Sequence, residues 1–545
     1  MPRPILATIF AATGLWAAAQ AASLQDVKHV VVIYQENWSF DGLLGKFPGA
    51  DNLDSASAMS MSQLDSTGTP YLHLPFNDSA HFKAQLSLAN GPWDLTKYLD
   101  ADSLTEDLVH RYYQEQYQIN GGKNNRFAAG SDAKGLSMSY VDCTNLPLGV
   151  LGAEGVVMDH FFHSAFGGSF LNHQWMIAAQ TPRWPAGVAL PASKLTKLDS
   201  LGNRKAGSDG FLTPDSFAIN TVQPMTWPYS PGTADSVRLP LLDLTTIGDR
   251  LDDAHIGWAW YSGGWDSAMA GKGNSPTIQF QYHHQAFNYY KKFSDTGSAY
   301  RKARLKDENL FFSDLASGNL PAVSWIKPEG EQNEHPGYAM LVDGQKHVKA
   351  IIDSLKAHKS VWDSTVVIIT YDEHGGRWDH VAPPVVDKWG PGVRVPGVLL
   401  SPLAKKGFVD KRTYETVSIL SFIEHRWGLR PLSSRDSLAD PFTGAFPFDI
   451  TTSVKPRIKA KAGLKKVSLR EESGRLTVGF STEEAGAVRI EAVTPDGICR
   501  ASADFAGMGA GDHEARLDLG RTGDHLLYVR VKSLDGDRTQ LAWLR

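Results

Sequence analysis

The sequence predicts an α/β sandwich followed by a small antiparallel β domain. Two uninterrupted apolar runs, residues 30–34 and 366–371, are rich in β-branched side chains, which is typical of buried central strands. Amphipathic helix patterns alternate with strand patterns along the chain, as at residues 413–427. After Ile450 the pattern changes to short stretches that alternate apolar and polar residues, as antiparallel strands do.

The predicted elements follow one another in α/β order. Further buried strands are predicted at residues 257–261, 322–326 and 396–400, and residues 51–145 have the irregular pattern of a loop-rich or helical insertion. The predicted boundaries are a signal peptide at 1–21, the main α/β domain at 22–450, a basic, proline-containing linker at 451–466 and a β-sandwich-like domain at 467–545.

The first 21 residues have the pattern of a secretory signal peptide. Arg3 supplies the positive start, residues 5–19 the apolar core, and residues 19–21 a small-x-small cleavage site. A membrane anchor is the alternative, but the apolar core is short for a span. We therefore expect a secreted or periplasmic protein that is not integral to the membrane.

The composition is that of a globular protein, and it excludes several classes. Of the 545 residues, 42% are hydrophobic and 21% are charged. The net charge is -5 and the basic cluster at 455–466 is short, so no nucleic-acid partner is expected. Two cysteines, Cys143 and Cys499, are too few for a disulfide scaffold or a cysteine-rich metal site, and their pairing is left open.

Oxygen-bearing side chains follow both of the long apolar runs. Glu36 and Asn37 come after the first run, and Asp372 and Glu373 after the second. Because ligands bind at the carboxyl ends of strands in α/β sheets, these four side chains should meet at one edge. All-oxygen ligation favours Ca²⁺, Mg²⁺ or Mn²⁺ over zinc. The pattern predicts a site for one divalent cation and an anionic substrate, with simply solvated acids as the alternative.

A serine that follows a glycine pair is the candidate nucleophile. Ser169 comes directly after residues 167–168 and stands at the start of a helix pattern that runs through Gln180. Free backbone N–H groups and the helix dipole favour an anion at such a position. The alternative is that Ser169 only caps the helix. Near a divalent cation, the serine hydroxyl would instead be activated for attack.

Several long motifs resemble the bacterial phosphoesterase family, which joins phospholipases C with acid phosphatases of the respiratory-burst-inhibiting type. The motifs are residues 36–41, 371–381 and 392–396, and the resemblance covers about residues 27–429. It implies an alkaline-phosphatase-like α/β/α fold and makes residues 22–450 a catalytic phosphoesterase domain. One departure is Trp38, where the family usually has arginine.

The resemblance also implies roles for individual residues. Glu36, Asn37, Asp372 and Glu373 would hold the metal, and Ser169 would be the nucleophile. Four histidines would line the phosphate site: His110, His283, His284 and His335. The pattern alone leaves each lone histidine open to a purely structural role, and His374 and His380 are expected to touch or orient the acids of the second motif.

The function implied is that of a metal-dependent phosphoric-ester hydrolase. Residues 110–113, 119–123 and 282–290 resemble the acid phosphatase branch, so hydrolysis of phosphomonoesters through a phosphoserine intermediate is the leading hypothesis. A phospholipase C that cleaves headgroup diesters is the first alternative, because larger phospholipases of the family also carry C-terminal β domains. A surface- or carbohydrate-binding protein with a vestigial site is the second. Phosphoester small molecules or phospholipid headgroups are the expected partners, and the oligomeric state is left open.

Overall fold

The structure is a computed structural model that describes residues 22–76, 78, 80–82, 86–200, 204–273 and 280–450, and most of residues 467–543 in short stretches. Within these ranges the α-helices are α1 (Phe40–Leu44), α2 (Ala58–Met61), α3 (Tyr112–Ile119), α4 (Phe127–Gly130), α5 (Pro147–Glu154), α6 (Ser169–Ala178), α7 (Ile247–Asp253), α8 (Trp265–Met269), α9 (Ala299–Arg304), α10 (Asn309–Ala316), α11 (Leu341–Ala357), α12 (Lys359–Trp362), α13 (Thr416–Trp427) and α14 (Ser434–Leu438). The strands of the two larger regions are β1 (His29–Gln35), β2 (Val156–Phe162), β3 (Trp258–Ser262), β4 (Leu305–Asp307), β5 (Val323–Lys327), β6 (Thr365–Tyr371), β7 (Gly397–Leu400), β8 (Phe408–Glu415), β9 (Val467–Glu472), β10 (Arg475–Thr482), β11 (Gly486–Val493), β12 (Cys499–Met508), β13 (Gly511–Asp518), β14 (Leu526–Ser533) and β15 (Gly536–Trp543).

The first eight strands form one mixed sheet in the order β8-β2-β7-β6-β1-β5-β3-β4. All neighbours are parallel except β7, which runs antiparallel to both β6 and β2. The two long apolar runs are β1 and β6, and they pair in the middle of the sheet with Val30 opposite Val366. Every residue of β6 is buried, as expected for a strand covered on both faces. The predicted α/β fold class is thus confirmed.

Helices pack against the sheet and against one another. Helix α5 packs against α11 and β7, and helix α13 packs against α6 and β8. The predicted helix at 413–427 begins later than expected, because Thr413, Tyr414 and Glu415 pair with β2 as the end of the edge strand β8. The insertion at 51–145 contains helices α2 to α4 and two-residue strand pairs, which fits its irregular pattern.

The C-terminal strands form two small antiparallel sheets, β9-β10-β13 and β12-β11-β14-β15. Their inward side chains form a hydrophobic core of their own, with Val478, Ile490 and Val531 among its members. The predicted small antiparallel β domain is therefore present. The predicted signal peptide and linker lie outside the described residues, and the boundaries remain predictions.

Two further expectations concern cysteine and the membrane. Cys143 is a buried free thiol that accepts a hydrogen bond from Gln345 Nε2 at 3.3 Å, whereas the side chain of Cys499 lies outside the described residues. No helix in the described ranges is long and apolar enough to cross a bilayer.

An ion-pair cluster fastens α1 to the segment after β6. Arg394 donates to Asp41 at 3.1 Å and to Asp379 at 2.8 Å, and His380 Nδ1 lies 2.6 Å from Asp41 Oδ2. Burial alone would lower the pKa of His380, but the hydrogen bond and charge of Asp41 raise it above 6.5. The His380 pair therefore stabilises the fold fully below pH 6.5, and this contribution is lost as the pH rises through the folded pKa.

Replacing His380 with asparagine is expected to destabilise the protein more at about pH 5.5 than at about pH 8.5. The reason is that only the protonated imidazole gains from the Asp41 carboxylate. Urea unfolding at both pH values measures the difference in the free energy of unfolding from wild type, with the exposed His73→Asn as a control. An equal loss at both pH values would contradict the assignment.

Candidate active site

The residues after β1 form the first wall of the site. Glu36 is fully buried, and its Oε1 forms an ion pair with Lys327 Nζ and lies 2.8 Å from His284 Nε2. Asn37 has a left-handed backbone, with φ of 64°, and donates its N–H to Asp372 Oδ1 at 3.3 Å. Thus the ends of β1 and β6 are joined directly.

The residues after β6 form the second wall. Asp372 Oδ1 also accepts the N–H of Glu373 at 2.8 Å, and Glu373 Oε2 accepts the N–H of Gly375 at 2.6 Å. Gly375 has φ of 60°, and a Cβ at this position would lie 2.2 Å from the carbonyl oxygen of Asn37. The glycine therefore lets the second acidic motif close onto the first.

Ser169 faces these carboxylates from the start of α6. Its Oγ donates to Glu36 Oε2 at 3.2 Å and contacts Asn37 Oδ1 at 3.5 Å. The helix N-cap is Gly168, and the Ser169 hydroxyl contacts Glu36 and Asn37 instead, so Ser169 is not the capping residue. Gly167, with φ of 92°, brings the loop so close to α3 that a Cβ would lie 2.5 Å from Tyr112 N. The helix ends at Ala178 rather than at the predicted Gln180.

The four predicted histidines surround the same carboxylates in two pairs. The rings of His283 and His284 lie 4.6 Å apart, and His284 contacts Glu36. The rings of His110 and His335 lie 5.9 Å apart, and His110 Nε2 is 3.6 Å from Glu373 Oε1 and 3.4 Å from Asn37 Nδ2. The structure thus brings all nine predicted site residues together, while their roles remain predictions.

Sequence reasoning missed two residues of the site. Lys327, the last residue of β5, is fully buried and lies 4.0 Å from Asp372 Oδ2 in addition to its contact with Glu36. His173 stacks on His284 with ring centroids 5.2 Å apart and lies 3.7 Å from Asp372. A signal for His173 was available, since positions i and i+4 share a helix face with Ser169.

The buried carboxylates of the site form an arrangement that suits a bound cation. Burial alone would raise the pKa of Glu36, but His284 and Lys327 hold it well below its usual range. Burial and the Glu36 charge raise the pKa of Asp372, and burial and the Asp372 charge raise that of Glu373. Asp372 Oδ2 and Glu373 Oε1 accept no hydrogen bond from any described residue. These orphaned oxygens fit a hard divalent cation, which would relieve the repulsion among the carboxylates.

Replacing Lys327 with methionine is expected to lower turnover about tenfold or more. The reason is that Glu36 loses the ammonium group that holds its Oε1 in position. Metal affinity should stay the same or rise, since one positive charge leaves a site built from carboxylates. Metal titration beside kinetics measures both effects, with the exposed Lys302→Met as a control. A fall in metal affinity that accounts for the whole loss of turnover would contradict this role.

Trp38 packs against Arg377, whose guanidinium carbon lies 3.8 Å from the Trp38 ring centroid, and its indole N–H donates to the carbonyl oxygen of Glu334. The replacement of the family's usual arginine therefore affects packing behind the site. The expectation for two histidines needs correction. His374 and His380 make no hydrogen bond to Asp372 or Glu373 among the described contacts. Instead, His374 faces Glu115 and His380 faces Asp41.

A cleft opens beside the candidate nucleophile. It has a volume of about 420 Å³ and is lined by His110 and Gly168 on the side nearest Ser169. Charged side chains of both signs, among them Arg111, Lys194 and Asp209, line the rest. The cleft is therefore large enough for part of a polar substrate beyond the reacting group.

At the carboxyl edge of the sheet, a buried serine lies beside candidate oxygen ligands for a hard cation and a ring of histidines. Such a set of groups can carry out nucleophilic attack on a phosphoryl group. The chain belongs to the Phosphoesterase family, whose sequence pattern matches residues 27–430. The resemblance stated from the motifs is thereby confirmed.

Individual relatives are phospholipases C at low identity. The chain is 24% identical over 473 residues to the non-hemolytic phospholipase C of Burkholderia pseudomallei, covering 80% of this chain and 60% of that protein. It is 25% identical over 482 residues to phospholipase C A of Mycobacterium tuberculosis, covering 78% of both chains. Among solved structures, the lipoteichoic acid synthase LtaP from Listeria monocytogenes has a TM-score of 0.31 at 8% identity, covering 89% of this chain and 86% of that one.

Proposed function

We propose that this protein is a phosphoric-ester hydrolase that cleaves phosphodiesters, as a phospholipase C does on lipid headgroups. The contact of Ser169 Oγ with Glu36 and Asn37 carries the proposal, because it places a nucleophile against the candidate cation ligands. The phospholipase C relatives support a diester substrate better than the monoester substrate favoured by the motifs alone. The direct contacts among the site residues weaken the alternative of a binding protein with a vestigial site.

In the proposed reaction, Ser169 Oγ forms a bond to phosphorus as the bond to the leaving oxygen breaks. A divalent cation on Glu36, Asn37, Asp372 and Glu373 would neutralise charge on the phosphoryl oxygens and favour the serine alkoxide. The leaving oxygen must gain a proton, and the serine must lose one. Water then attacks the phosphoserine ester and releases Ser169 with its proton restored.

The protein's own groups would hold the reacting parts in place. The hydrogen bonds from Oγ keep the serine directed at the acids, and Lys327 keeps Glu36 from turning away. His110, whose side chain is 17% exposed, lies 3.6 Å from Glu373 Oε1 and borders the cleft, where the leaving group of a bound diester would lie. It is therefore the candidate proton donor to the leaving oxygen.

Turnover of p-nitrophenylphosphorylcholine beside p-nitrophenyl phosphate, across about pH 5 to 8, tests the substrate class. We expect kcat/KM for the diester to exceed that for the monoester by about tenfold or more, equal to roughly 1.4 kcal/mol. The reverse order would favour the acid phosphatase alternative, which rests on the motifs at 110–113, 119–123 and 282–290. Hydrolysis of neither compound by metal-loaded protein would contradict both.

We also propose that residues 1–21 direct export, that 451–466 link two domains and that the β domain at 467–545 is dispensable for chemistry. A chain ending after Ile450 should keep turnover of a small soluble phosphoester, because every site residue lies before that point. Kinetics of the truncated and full chains with the same substrate give the comparison. A folded truncated protein without activity would show that the β domain is needed for the site.

A further inference from the structure

A second cluster of histidine and carboxylate side chains lies between the loop before Ser169 and the second acidic motif. Glu115 comes from α3, His163 follows β2, and His374 follows Glu373. All three are fully buried. One ligand atom from each lies within 4.8 Å of the other two. None of the three belongs to the proposed cation site.

Hydrogen bonds fix the orientation of both imidazoles. His163 Nδ1 lies 2.8 Å from the carbonyl oxygen of Ala165, and His374 Nδ1 lies 2.9 Å from that of Arg377. Because a carbonyl oxygen can only accept, each Nδ1 carries the hydrogen. In the neutral form of either ring, Nε2 presents a lone pair, and a backbone carbonyl behind the ring is the usual partner of a metal-binding histidine.

The two Nε2 atoms converge on one carboxylate oxygen. His163 Nε2 lies 2.9 Å and His374 Nε2 lies 3.7 Å from Glu115 Oε1. His374 Nε2 makes no hydrogen bond with any described residue, His163 Nε2 has Glu115 as its ion-pair partner, and the two rings stack with centroids 5.5 Å apart. Two lone pairs and a carboxylate oxygen repel each other in a buried site unless a positive charge lies among them.

We propose that Glu115, His163 and His374 bind a structural divalent metal ion, with Zn²⁺ the best chemical match. Two imidazole nitrogens and one carboxylate oxygen form a ligand set that zinc favours, whereas the oxygen ligands of the first site suit harder ions. The two sites therefore differ in the metal they select.

The proposed metal site lies where three segments of the chain meet. Glu115 Oε2 accepts the N–H of Gly167 at 2.5 Å, and Oε1 accepts the N–H of Val393 at 2.9 Å. A Cβ on Gly392 would lie 2.2 Å from the His163 ring and 2.3 Å from Glu115, so the chain passes directly over the cluster. A metal ion here would fasten the loop before Ser169 to the residue after Glu373.

The test needs a protein in which the first site is disabled. The full chain carrying both Glu36→Gln and Asp372→Asn is loaded with Zn²⁺, dialysed and analysed for metal. We expect about one zinc per chain, falling below about 0.1 when His163→Gln or Glu115→Gln is added. His284→Gln, which removes a histidine of the first site, is the matched control and should leave the zinc in place.

Zinc that is lost with His284→Gln and kept with His163→Gln would overturn the proposal. So would the absence of stoichiometric zinc from the folded double variant, which would mean that a proton supplies the positive charge instead. The zinc content of the double variant is measured without any substitution in the buried cluster. It therefore tests the proposal even if the His163 and Glu115 variants fail to fold. Removal of zinc from the double variant should also lower its Tm, because the ion binds the native state.

Discussion

Replacing Ser169 with alanine is expected to lower kcat by about 10³-fold or more, equal to roughly 4 kcal/mol in the barrier. The change removes the Oγ that contacts Glu36 and Asn37 and leaves the backbone start of α6 unchanged. The fold and the metal content should be kept, because the hydroxyl caps no helix and is not among the four proposed ligands. Steady-state kinetics, circular dichroism and elemental analysis of the same sample measure the three properties.

The exposed Ser193→Ala is the matched control for this substitution and should behave as wild type. Turnover of the Ser169→Ala protein within about tenfold of wild type would rule out a covalent serine mechanism. Loss of metal together with activity would instead assign Ser169 to the cation site.

Replacing Asp372 with asparagine is expected to lower metal affinity and turnover together, each by about 10²-fold. Asp372 Oδ2 is a buried oxygen that accepts no hydrogen bond from a described residue, and the neutral amide removes the negative charge that a divalent cation requires there. Competition with a chelator measures the affinity, and excess metal should restore part of the turnover. The exposed Asp363→Asn, which lies just before β6, is the control.

The Asp372 and Lys327 substitutions change the charge of the site in opposite directions, and only the first is expected to lower metal affinity. Asp372→Asn removes a negative charge from the site, whereas Lys327→Met removes a positive one. Unchanged metal binding in Asp372→Asn, with turnover lost, would mean that this carboxylate serves another purpose. Comparing the two variants therefore distinguishes a residue that binds the metal, as proposed for Asp372, from one that neutralises the carboxylates, as proposed for Lys327.

The sequence predicted the centre of the fold well because burial leaves a simple pattern. Strands β1 and β6 are buried along nearly their whole length and read as continuous apolar runs. Strand β8 was missed because it lies at the sheet edge, where three consecutive polar residues are exposed and only Asp410 and Tyr414 are buried. Its last residues were assigned to the helix that follows.

The site residues were predictable where polar side chains follow directly after an apolar strand. Glu36 and Asp372 stand out because adjacent polar residues end an apolar run. Lys327 gave no such signal, since a single lysine after a strand is usually solvated, and its burial depends on carboxylates from two other strands. The cluster of Glu115, His163 and His374 was missed because its members are distant in sequence and only the fold brings them together.

Peptide mass spectrometry of the enzyme, quenched in acid during turnover of p-nitrophenylphosphorylcholine, tests the central claim most directly. The account predicts a phosphorylcholine ester on the peptide that contains Ser169, and no such ester in the Ser169→Ala protein. An ester on another residue, or full turnover with no covalent adduct at any quench time, would contradict it.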